Sequence, residues 1–117
     1  MYDSDNVFAK ILRGEIPCSK VYEDNYALAF FDITPAAPTH IIVIPKGAYK
    51  DAADFVTRAN DAEILGFNRA LGHITQTQNI ADNFRMISNC GVDAGQSVAH
   101  FHVHILAGKP MGPLLAL

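Results

Sequence analysis

The chain is short of every feature that would take it out of an ordinary reducing, aqueous compartment. Its only cysteines are Cys18 and Cys90, far apart in 117 residues, which suits reduced thiols better than a disulfide framework. No run of five or more basic residues occurs and the formal net charge is −3, so a phosphate backbone is not an expected partner and nucleic acid is set aside. A local site can still be positive inside an acidic protein, which leaves small anionic substrates open. Apolar runs such as Ile41–Ile44 and Leu114–Leu117 fall far short of the roughly 20 residues that cross a bilayer. The start, Met1-Tyr2-Asp3-Ser4-Asp5, has no basic stretch leading an apolar one. No membrane partner is expected, and the expected location is the cytoplasm.

What is present fits one domain, 1–117, half hydrophobic and 18% charged, with no linker or internal repeat. Ser4-Asp5-Asn6 offers N-cap side chains for a short helix in which Val7, Phe8, Ile11 and Leu12 recur before Gly14 stops it. Strands are expected over Lys20–Glu23, Ala27–Ile33, His40–Pro45 and Phe84–Asn89. Phe30 and Phe31 fall on opposite faces of the second, which implies cover on both sides there. Asp51–Val56 reads as a turn or two of helix. Asn60 and Glu63 make a capping box for a long helix striped by Ile64, Phe67, Leu71 and Ile74, lasting to about Thr75 or Gln78 and leaving His73 on the surface. The last residues, Leu114-Leu115-Ala116-Leu117, are apolar enough to want a partner surface. The expected architecture is α+β: a five-stranded, mostly antiparallel sheet with one long helix and a short N-terminal helix.

The stretch that concentrates chemistry is Gly95-Gln96-Ser97-Val98-Ala99-His100-Phe101-His102-Val103-His104-Ile105-Leu106. Three of the five histidines stand at i, i+2 and i+4, each separated by one apolar residue. Strict alternation is a strand signal, so His100, His102 and His104 share one face with Val98, while Ala99, Phe101, Val103 and Ile105 share the other. Spacing alone allows two chemistries. His-x-His plus His40 could complete a tetrahedral zinc site. Alternatively, a neutral imidazole could attack phosphorus while its neighbours hold the charge. The small-residue turn and hydroxyl at Gly95-Gln96-Ser97 favour the second, because such turns offer backbone N–H groups to anions.

These same residues carry a resemblance. The run from Gly95 to Leu106 resembles the histidine triad (HIT) family, whose signature alternates three histidines with apolar residues. Asp5–Ile11, Gly14–Pro17, Ala29–Pro35 and Ala37–His40 look like its nucleotide-binding branch of purine nucleoside phosphoramidate hydrolases, and Gly108–Pro113 resembles the tail of bacterial members. The resemblance implies hydrolysis of the P–N bond of adenosine or guanosine phosphoramidates. Alternatives are cleavage of dinucleoside polyphosphates or a non-catalytic nucleotide-sensing role. It implies His102 as nucleophile, one ring nitrogen held by a backbone carbonyl. His104 and Ser97 would meet the phosphate or leaving group, and His100 would pair with His40 to orient the row. Asp32 would take the ribose hydroxyls and Asn89 the phosphate side or ribose, with Gln96 lining the same pocket. Phe8, Ile11, Ile16, Phe30 and Ile33 would enclose the purine. It further implies a homodimer in which two sheets join. No cofactor is expected. Some bacterial relatives carry a zinc site with Cys-x-x-Cys near the N-terminus; Asn6-Val7-Phe8-Ala9 has no such pair, so no structural zinc is expected. Relatives that transfer nucleotidyl groups put Gln at the third triad position, and His104 favours hydrolysis.

Overall fold

A computed structural model describes residues 1–115; Ala116 and Leu117, the end of the apolar tail, lie outside the described residues. The elements are α1 (Val7–Leu12), β1 (Lys20–Glu23), β2 (Ala27–Phe31), β3 (Thr39–Pro45), α2 (Ala52–Arg58), α3 (Asp61–Thr77), β4 (Arg85–Ile87) and β5 (Val103–Ala107). All strands pair antiparallel in one sheet of order β1-β2-β3-β5-β4. Of the cap candidates before α1, Asn6 is the one used, its side chain accepting from Ala9 N–H, and Asn60 and Glu63 close the expected reciprocal box at the start of α3.

Side-chain alternation divides the sheet into two faces. Ala27, Ala29, Ile41, Val43, Val103 and Ile105 point to the helical face and join Phe55 of α2 and Phe67, Ala70 and Ile74 of α3. Close approach of α3 is secured at Gly66, where a Cβ would lie 2.3 Å from the Tyr26 ring. The intervening residues Leu28, Phe30, Ile42 and Ile44 point the other way and pack against Phe8, Ile11 and Leu12 of α1. β3 sits between both layers and is buried from His40 to Pro45, as a continuous β-branched run implies.

Three expectations need correcting. The histidine segment is not one strand: β5 begins at Val103, and Val98–His102 runs outside the ladder. The cause is Pro45, which ends β3 without an N–H to offer; the last pair of that ladder is Val43 with Val103. The alternation survives the loss of pairing, because Phe101 still joins the helical face with Val103 and Ile105. Phe31 is 43% exposed rather than covered, since it closes β2 and belongs to neither packed cluster. β4 keeps only three residues of the Phe84–Asn89 run, having a partner only along β5. Met86, at 53% exposed, leaves that edge strand with an uncovered apolar side chain. Among the described residues no helix is long and apolar enough to cross a membrane.

Candidate active site

On the α1 face, register places Phe30 opposite Ile42 and Ile42 opposite His104 across β2, β3 and β5. α1 closes over this row, with the Phe8 ring edge-on to Phe30 at 5.7 Å and to His102 at 4.9 Å between centroids. Beneath it opens a cavity of about 280 Å³. Apolar walls come from Phe8, Ile11, Ile16, Phe30 and Ile33, and Asp32, Ser97, His102 and His104 supply the polar end. Ile33 is 99% exposed, a large apolar side chain held at the mouth by the Asp32–Thr34 turn, in which Asp32 Oδ1 accepts from Thr34 N–H at 2.7 Å.

Hydrogen-bond partners assign the tautomers. His102 Nδ1 is 2.7 Å from the His100 carbonyl oxygen, which can only accept. Nδ1 therefore carries the proton and Nε2 keeps its lone pair. His40 Nδ1 accepts from Ala36 N–H at 3.0 Å, so its Nε2–H is free to donate to His104 Nδ1 at 2.9 Å. That leaves His104 with an Nε2–H donor on a ring lining the cavity. The two cavity imidazoles thus differ, one a bare lone pair and the other a proton donor, with centroids 5.1 Å apart. Burial lowers the pKa of both, because the charged form is poorly solvated there. The His100 carbonyl and the Asp32 charge partly offset this for His102, while His102 and His40 add to it for His104. Both are therefore neutral at pH 7.

His40 pairs with His104 and not, as the resemblance implies, with His100. The reason is register: His40 stands opposite Leu106 and Ile42 opposite His104, within reach of a ring two residues along. His100 is withdrawn behind the cavity. It is fully buried, with Nε2 3.0 Å from Pro45 O and Nδ1 2.7 Å from the Tyr2 hydroxyl. Asn89 does not line the cavity. The Gln96 side chain is used to hold its loop against the segment before α2, accepting from Gly91 N–H and donating to Val98 O and to Lys50 O. The N–H groups of Gly95 and Gln96 also bond within that loop, so they do not face an anion as the turn suggested. Ser97 stays on the cavity wall. Sequence reading missed Tyr2 and Ser88, whose hydroxyl donates to His102 O at 2.8 Å. No local pattern marks either residue.

Asp32, His40 and His104 each bring one donor atom within 4.8 Å of the others, a spacing at which a cation could be held. The hydrogen bonds oppose it, since a cation on His104 Nδ1 would displace the His40 N–H already there. His40 Nε2 also lies 3.4 Å from Asp32 Oδ2, so the three groups form a closed network without a cation.

The HIT domain family model matches residues 13–111. The chain belongs to the HIT family. Over 115 residues it is 56% identical to an uncharacterised 13.2 kDa HIT-like protein of Azospirillum brasilense, covering 97% of this chain and 94% of that one. It is 39% identical over 113 residues to the purine nucleoside phosphoramidase of Escherichia coli, covering 96% and 94%. A histidine triad protein from Clostridium difficile has the same fold, with a TM-score of 0.86 at 40% identity over 98% of this chain and 100% of that one. A HIT family hydrolase from Clostridium thermocellum gives 0.87 at 36%, covering 97% and 99%.

Proposed function

We propose that this HIT protein hydrolyses purine nucleoside 5′-phosphoramidates through a nucleotidyl-histidine intermediate, without a metal ion. The observation that carries the reading is the tautomer split: His102 offers a lone pair and His104 a proton in one cavity. The His102 Nε2 attacks phosphorus and the P–N bond breaks. The departing nitrogen takes its proton from a water molecule, handed on through the His104 Nε2–H and Ser97 hydroxyl donors so that His104 stays neutral. The hydroxide left by that water then opens the nucleotidyl-histidine, freeing the His102 lone pair and releasing the nucleoside monophosphate. The His104 donor and the Ser97 hydroxyl meet the phosphate oxygens, Asp32 accepts from the ribose, and Phe8, Ile11, Ile16, Phe30 and Ile33 enclose the base. The phosphoramidase of E. coli at 39% identity supports this substrate class over dinucleoside polyphosphates.

The reading includes a symmetric dimer through α3 and the β4 edge, where Leu65 and Met86 are 58% and 53% exposed. The test is turnover of adenosine phosphoramidate with EDTA present, by the native chain and by His102→Ala. Native activity should persist in EDTA, and the variant should lose about a thousandfold or more while still binding AMP. Activity lost in EDTA and restored by zinc, or full activity in the variant, would overturn the reading.

A further inference from the structure

The carbonyl that orients His102 belongs to His100, in a segment without a strand ladder. The main-chain bond tying this segment to a neighbour runs from Phe101 N–H to Tyr49 O at 2.7 Å. An oxygen that must hold an imidazole in one orientation needs a firmer anchor, because small misplacements of a reacting group are costly. The His100 ring supplies it. Pro45 O can only accept, so His100 Nε2 carries the proton and Nδ1 is bare, buried, and satisfied by the Tyr2 hydroxyl 2.7 Å away. The Tyr2 ring also meets the His100 ring edge-on, with centroids 5.7 Å apart.

We propose that Tyr2 is a positioning residue for the nucleophile: its hydroxyl completes the hydrogen bonding of the His100 ring, and the ring so held fixes the carbonyl against His102 Nδ1–H. This role rests on the reading of His102 as nucleophile. Tyr2 is 98 positions from its partner and is absent from the cavity wall, so it touches neither substrate nor phosphorus. Removing the hydroxyl strands a buried Nδ1. The ring can relieve that only by turning or by admitting water, and either shifts residue 100.

The experiment is the full-length Tyr2→Phe variant, assayed on adenosine phosphoramidate and by nitrogen-15 spectra of the imidazoles. Phenylalanine keeps the ring contact, and a thermal midpoint within a few degrees of the native one shows that folding is intact. The expected result is a 5- to 10-fold fall in kcat, written as about one power of ten in rate, with KM changed less than about twofold. The His102 nitrogens should move from one tautomer toward a mixture. Native kcat with unchanged His102 signals overturns the proposal, as does a rise in KM with kcat intact. If the native chain has no turnover at all, the phosphoramidase reading fails, and the nitrogen spectra still decide the role of Tyr2.

Discussion

The two faces of the sheet are built from alternate residues of the same strands but solve different problems. The helical face is closed: Phe55, Phe67 and Phe101 stack or tilt against one another at 4.9–5.3 Å, and the Tyr49 hydroxyl that joins this cluster donates to Glu63. The α1 face is left open, with a six-residue helix for a lid and imidazoles where the other face has phenyl rings. One residue of shift along β5 moves a side chain from packing to chemistry. Closed packing there frees the opposite face to hold buried polar groups, and every one of these among the described residues finds a partner.

The comparison breaks most strongly at Phe67. Replacing it with Ala should cost about 3–5 kcal/mol of stability through cavity formation, read from urea midpoints, while the folded fraction binds AMP as before. A parallel loss of AMP affinity would show that the faces are not independent. Next in size is the ribose contact. Deoxy-AMP should bind about 1–3 kcal/mol more weakly than AMP if the Asp32 carboxylate loses a partner, and equal affinities by calorimetry would remove Asp32 from that role.

The faces themselves were legible in the sequence. Phe30 and Phe31 fall on opposite faces of the second strand, the continuous apolar run Ile41–Ile44 marks a strand covered on both faces, and the capping box and the Ile64–Ile74 stripe locate α3. The cavity residues Phe8, Ile11, Ile16, Phe30, Asp32, Ile33, Ser97, His102 and His104 do come together. What local pattern could not show is how ring nitrogens are shared. The His40–His104 pair depends on register between β3 and β5, and the Tyr2–His100 bond joins the two ends of the chain. The extent of the histidine strand was also hidden, because the missing N–H of Pro45 lies in a different strand.

Two smaller effects sharpen the contrast. Ile33→Ala should leave stability within about 0.5 kcal/mol, since the side chain packs on nothing in the folded chain, yet weaken AMP by about 1 kcal/mol of lost apolar contact. The smallest effect comes from pH. Burial lowers the pKa of His100, His102 and His104 in the folded state, so below about pH 6.5 the unfolded chain binds more protons than the folded one. Stability should therefore fall with acidity from that point down through the depressed values, and be flat with respect to these groups above it. Turnover should fall in the same direction as His102 loses its lone pair. A urea midpoint at pH 5.5 equal to that at pH 7.5 would contradict this.

The central claim is that a neutral His102 becomes covalently bonded to phosphorus. It is tested most directly by mixing the native chain with an adenosine phosphoramidate in EDTA, quenching within the first turnover, and measuring intact mass and the modified peptide. The account predicts a mass increase of one adenylyl group, located on His102 and absent in His102→Ala. Rapid substrate turnover with no adduct at any quench time, or an adduct on His104, would contradict it.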